Sequence, residues 1–253
     1  MTDLSRRPVL GRPSIASGEE PLLRADGDAA TAGWRAEGGS TPWCAVRAAS
    51  VVGVRHRLAG LGSDDAFAWA VRDGAVMLAV ADGVGTAPGS AAAALRACRA
   101  AVECPDVAGA VDAANRAAAG GGATTIVVAV VTEGGAVELA RVGDSTGLVV
   151  EEDGSWQELF EPPDPERSDR ATTALPAKDP AVESAAARLG PGAVLVLATD
   201  GIADPWRDGP TTVAPALAAA LAARPGAPEL LGAVDFSRHG CHDDRTMVAA
   251  WLR

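Results

Sequence analysis

Four aspartates stand next to apolar runs that lie far apart in the chain. Asp82 closes AVMLAVAD, Asp144 closes AVELARVGD, Asp200 closes AVLVLATD, and Asp243 opens DDRTMVAAWL. Short apolar runs of this kind read as buried strands, so each carboxylate is delivered to a strand end. Carboxylates gathered in one place repel one another unless a positive charge lies between them. Their hard oxygen donors suit Mg²⁺ or Mn²⁺ and disfavour zinc. Asp82 and Asp200 are each followed by glycine, which lets the backbone approach a ligand closely, and the Gly83 carbonyl can complete a coordination shell. Two such ions a few ångströms apart can bridge a hydroxide and clamp a phosphate for in-line attack. A lone Asp-Gly is most often a turn. Their joint occurrence at strand ends is what favours metal.

The elements that must position these residues follow from the patterning. Residues 1 to 40 lack periodicity and are rich in Gly, Ser, Pro and charge, which predicts a flexible tail, with Ser14 and Ser17 as phosphorylatable positions of no special promise. Order is expected from Trp43, with WCAVRAASVVGVRH and AFAWAV as strands. AVMLAVAD follows across a turn at Asp73-Gly74. Pro88 to Val102 and residues 106 to 118 predict helices. TTIVVAVV with AVELARVGD, and TGLVV with the stretch after Asp153-Gly154, predict hairpins. Residues 161 to 180 are rich in Pro and charge and predict an irregular flap carrying Arg167 and Arg170. AVESAAARLG predicts a short helix, AVLVLATD a strand, 211 to 234 helix with a break, and TMVAAWL a closing strand. Hairpins with helices inserted in blocks exclude a doubly wound parallel sheet. They predict an α+β fold of antiparallel sheets flanked by helices.

The net charge of −11 and pI near 4.7 argue against a nucleic-acid or anionic-membrane surface. Four cysteines without a CxxC pattern read as free thiols in a reducing compartment. No run approaches the roughly 18 apolar residues of a membrane span, and the first residues lack the apolar core of a secretory signal. A cytoplasmic protein is the expectation.

The order SDDA, ADGVG, GATT, VGDS, ATDGIAD and DDRT resembles the metal-dependent protein phosphatase family, type 2C, whose segments read NEDA, DGxGG, GTT, VGDSR, SDGLxD and DNxT. Any one motif is weak. Six in unbroken order, from about residue 43 to 253, are specific. The bacterial branch with a G-x-x-H-x-x-x-G opening is nearest, here Gly53, His56 and Gly60. The resemblance implies a four-layer α-β-β-α sandwich over residues 41–253 and two Mn²⁺ or Mg²⁺ ions, with a weaker third. By position, Asp82 matches the carboxylate bridging both metals, with the Gly83 carbonyl on one of them. Asp200 and Asp243 match ligands of the first metal, and Asp65 matches the residue ordering the second. Asp144 matches a ligand of the third. Asp64 stands in the Glu position, one methylene shorter, and Asp244 in the Asn position of DNxT. Asp204 reads as a structural turn residue.

The departures concern phosphate. Where many members carry an arginine four residues before the Glu, this chain has Gly60. Arg55, His56 and Arg57 are the substitutes. On a strand, Arg55 and Arg57 would share one face and His56 the other. The eukaryotic family histidine proposed as general acid is replaced by Val84. His56 joins Asp65 and Asp82 as the catalytic candidates. HGCHDD lacks the spacing and second ligand pair of a tetrahedral zinc site. The implied activity is hydrolysis of phosphoserine and phosphothreonine in proteins by a metal-bridged hydroxide. The substrate would be a protein phosphorylated by a Ser/Thr kinase, and a monomer is expected. The rivals are an inactive regulatory module of the same fold and a small-molecule phosphomonoesterase.

Overall fold

A computed structural model describes residues 33–72, 74–85, 88–161, 173–208 and 213–253. The tail positions Ser14 and Ser17, Asp73 of the expected turn, and Arg167 and Arg170 with most of the expected flap lie outside the described residues.

Two antiparallel sheets pack face to face. The first contains β1 (Trp34–Ser40), β2 (Cys44–Val51), β7 (Thr146–Val150), β8 (Trp156–Glu158), β10 (Val194–Ala198) and β11 (Arg245–Leu252), in the order β1-β2-β11-β10-β7-β8. The second contains β3 (Ala66–Arg72), β4 (Ala75–Ala81), β5 (Ile126–Thr132), β6 (Ala136–Val142) and β9 (Glu183–Arg188), in the order β3-β4-β5-β6-β9. Side chains alternate between faces, so each central strand feeds two cores. Val80, Val127, Leu139, Leu195 and Val248 meet between the sheets. On the outer face of the second sheet, Ala79, Val128 and Val142 pack under α2 (Ser90–Val102) and α3 (Val107–Ala118). On the outer face of the first, Val196, Met247 and Trp251 pack under α4 (Asp200–Arg207), α5 (Val213–Ala222) and α6 (Ala227–Val234). The result is the expected four-layer α-β-β-α architecture. The second sheet and its helices use alanine heavily, which permits close helix-to-sheet approach in a chain of few aromatics.

Four local expectations need correction. Order begins earlier than Trp43, because Trp34–Ser40 pairs along the whole of β2 and so forms an edge strand inside the expected tail. The strand does not continue through Arg55–Arg57. Those residues form the one-turn helix α1 (Val54–Leu58), whose Arg57 amide donates to the Gly53 carbonyl at 3.0 Å. AVESAAARLG contains a strand, since β9 completes the backbone pairing of β6 from Ala136↔Arg188 to Arg141↔Glu183. Alanine at alternate positions suits either period, and pairing along an open sheet edge decides the matter. Ala185 and Ala187 turn to the core between the sheets. Finally, DGIADPWR is helical, with Pro205 inside α4.

Candidate active site

The aspartates are brought together at one end of the sandwich by strand ends from both sheets. Asp82 follows β4. Its amide donates to Thr125 Oγ1 at 3.1 Å, and its carbonyl accepts from the Thr125 amide and the Thr124 hydroxyl, both at 2.8 Å. Thr125 Oγ1 also lies 2.8 Å from Ser145 Oγ. The GATT and VGDS segments thus hold the backbone from which Asp82 projects. Gly83 is glycine for lack of space, since a Cβ there would stand 2.7 Å from the Asp64 carbonyl and 2.9 Å from the carbonyl carbon of Ser90.

Asp200 opens α4 directly after β10. The preceding Thr199 leaves the helix end uncapped by its side chain. Its hydroxyl instead donates to Asp65 Oδ2 at 2.9 Å and accepts from the Thr246 amide at 3.0 Å. A Cβ on Gly201 would run into the carbonyl oxygen of Asp244, so α4 and the start of β11 approach more closely than any side chain permits. Asp243, exposed, lies two residues before β11. Asp144 is the middle residue of the three-residue turn between β6 and β7.

Asp244 is the residue whose importance the sequence understated. It is almost fully buried and accepts from the Gly53 and Asp64 amides, each at 2.6 Å, while His56 Nδ1 lies 3.0 Å from its Oδ2. One carboxylate thereby joins α1, the segment before β3 and the start of β11. The DDRT motif, with Asp in place of Asn, carries the signal.

The electrostatics report crowding. Burial, then the charges of Asp144 and Asp243, push the Asp82 carboxyl up to about 7. Burial, followed by Asp82, Asp144 and Asp243, pushes Asp200 up to about 8. Asp65 is raised well above the usual carboxylate range by burial and by Asp82, Asp244 and Asp200. The hydrogen bond to Asp244 raises His56, against the opposing effect of its burial. Each carboxylate resists ionising beside the others, which is the condition a bound cation relieves. Among the described residues, no three His, Cys, Asp or Glu side chains are arranged to hold an ion as they stand. The clustered aspartates nonetheless fit a hard divalent ion, since they offer carboxylate oxygens in excess negative charge.

A polar cavity of about 460 Å³ opens beside the cluster, lined in part by Arg55, Asp200, Asp204, His239, His242 and Asp243. Of the two arginines singled out, only Arg55 reaches it. A helix turns residues two apart away from one another, so Arg57 is buried, with its guanidinium 5.6 Å from the Trp34 ring centre. The expected shared face is therefore not found. Asp204, expected as a turn residue, sits on α4, lines the cavity and pairs with Arg207 at 2.7 Å. A separate hollow of about 320 Å³, bounded by Trp156 and the alanines of α5, contains none of the clustered aspartates.

A family model described as protein phosphatase 2C matches residues 52–119 and 106–230. No curated protein matches. Among solved structures, RsbX in complex with magnesium is 14% identical over 87% of this chain and 100% of its own, with a TM-score of 0.59. The S. agalactiae serine/threonine phosphatase is 14% identical over 83% and 100%, at 0.61. The catalytic domain of the serine/threonine protein phosphatase PstP in complex with two manganese ions is 22% identical over 83% and 98%, at 0.57. At these identities the structures establish likeness of fold.

Proposed function

We propose, from the premise that this chain belongs to the protein phosphatase 2C family, that it is a Mn²⁺- or Mg²⁺-dependent phosphatase acting on phosphoserine and phosphothreonine in proteins. The observation that carries the reading is the set of aspartates held above their ordinary pKa next to a cavity that Arg55 also lines. Asp65, Asp82, Asp144, Asp200, Asp243 and the Gly83 carbonyl are the groups that would hold the ions. A bound divalent pair would supply activated water and neutralise charge on the phosphate.

The remaining work falls to the chain. Arg55, exposed on α1 at the cavity wall, offers a planar donor pair to a phosphate oxygen. His56 is held through Nδ1 by Asp244, with Nε2 3.9 Å from Asp64. The bond to Asp244 raises its pKa, and the role assigned to it is that of the acid that protonates the departing Ser or Thr oxygen. No helix among the described residues is long and apolar enough to cross a membrane. A cytoplasmic monomer opposing a Ser/Thr kinase is the setting that suits the negative net charge and the free cysteines.

The test is hydrolysis of phosphopeptides with Mn²⁺ by the wild-type protein and by Asp82→Asn. The expected result is turnover that the substitution abolishes while the far-UV spectrum is unchanged. Full activity in Asp82→Asn refutes the proposal. An inactive regulatory module is the second reading, favoured by the exposure of Asp243 and the open arrangement of the carboxylates. Calorimetric titration with Mn²⁺ separates them, absence of binding supporting the module.

A further inference from the structure

Glu158 ends β8, with 7% of its side chain exposed. It accepts three hydrogen bonds. Thr146 Oγ1 donates to its Oε1 at 2.7 Å, Arg207 donates from a terminal nitrogen to Oε1 at 2.5 Å, and Arg207 Nε donates to Oε2 at 2.9 Å. Arg207 turns its other terminal nitrogen to Asp204 Oδ1, at 2.7 Å. Burial alone would push the Glu158 carboxyl up, but Arg207 and Thr146 reverse this and leave it below the ordinary glutamate value. Trp156 of β8 and Trp206 of α4 meet edge to face at the same junction, with ring centres 6.2 Å apart.

The partners matter because of what they carry. Thr146 stands two residues after Asp144. Arg207 closes the helix that Asp200 opens and on which Asp204 lies. A single buried carboxylate therefore ties the turn delivering Asp144 to the helix delivering Asp200 and Asp204. These acidic residues repel one another, since Asp144 contributes to raising both Asp200 and Asp204. Packing of Ile202 and Trp206 against the first sheet keeps α4 in place. The close approach of Gly201 to Asp244 fixes the N-terminal end of α4, whereas apolar packing, being non-directional, leaves its C-terminal end to a directional contact. A charged, two-pronged contact is one.

We propose that Glu158 is a positioning residue that holds the Asp144 turn and α4 at the separation divalent-cation binding requires. The proposal rests on the metal-dependent reading above. A buried ion pair replaced on both sides by neutral groups often keeps its stability, whereas loss of one partner does not. That asymmetry separates positioning from mere support of the fold.

The experiment compares wild type, Glu158→Gln and the double variant Glu158→Gln/Arg207→Met at pH 7.5. Mn²⁺ binding is measured by calorimetry, and thermal melting is followed without metal. The expected result is a dissociation constant for Mn²⁺ raised about tenfold in both variants, as for other groups that orient metal ligands, with melting of the double variant close to wild type. Wild-type affinity in Glu158→Gln, or affinity in the double variant that recovers along with its stability, overturns the proposal. Should the single variant fail to fold, the double variant decides. A wild-type chain that binds no Mn²⁺ overturns the metal-dependent reading itself, and with it this one.

Discussion

Asp200→Asn should stabilise the metal-free protein at pH 7.5 while removing its function. The Asp200 carboxyl is raised from 3.8 to about 8 in the folded chain. A carboxyl with a folded-state pKa above its unfolded value contributes most below the unfolded value, and that contribution is lost as pH rises through the folded one. The window here runs from about pH 4 to about 8. At roughly 1.4 kcal/mol per pK unit the full shift corresponds to a penalty on the order of 5 kcal/mol at pH 7.5. Asp200 is only half-buried, and water at the cavity mouth reduces this to on the order of 2 kcal/mol. Asparagine preserves the shape and removes the charge. Asp82, raised to about 7, and His56, also raised, act in the same direction, so the EDTA-treated wild type should lose stability between pH 5.5 and 7.5. Urea denaturation at several pH values, with and without Mn²⁺, is the assay. Mn²⁺ should restore the wild type at pH 7.5 and stabilise Asp200→Asn far less, because the variant lacks one of the charged ligands that would hold the ion. A metal-free variant less stable than wild type at pH 7.5, or wild-type stability that climbs from pH 5.5 to 7.5, would refute the reasoning.

Three further substitutions have defined outcomes. Gly201→Ala drives a Cβ into the Asp244 carbonyl and should cost about 3 kcal/mol, a fall of roughly 6–12 °C in thermal midpoint; an unchanged midpoint contradicts the tight approach of α4 to β11. Arg55→Ala should raise KM for a phosphopeptide about tenfold, the loss of one charged hydrogen bond, with Mn²⁺ affinity intact. Arg57→Ala should leave KM alone and cost about 1 kcal/mol of stability through lost contact with Trp34. Equal KM effects from the two substitutions would count against the assignment of Arg55.

What the sequence determined by itself was the ingredients and their delivery. Apolar runs must be buried whatever surrounds them, so AVMLAVAD and AVLVLATD announced strands, and Asp82 and Asp200 had to emerge at their ends. The antiparallel character followed from the hairpins, and the order of six short motifs pointed to the family. Only the tertiary structure decided matters of direction and partnership. Alanine-rich Glu183–Arg188 became a strand because the edge of β6 needed a backbone partner. Arg55 and Arg57 diverged because their segment coils, which leaves one at the cavity and the other behind Trp34. Asp244 and Glu158 acquired their importance from contacts with residues far away in sequence, Gly53 and Arg207. A local pattern fixes which face a side chain can occupy. It does not fix what the rest of the chain brings to meet it.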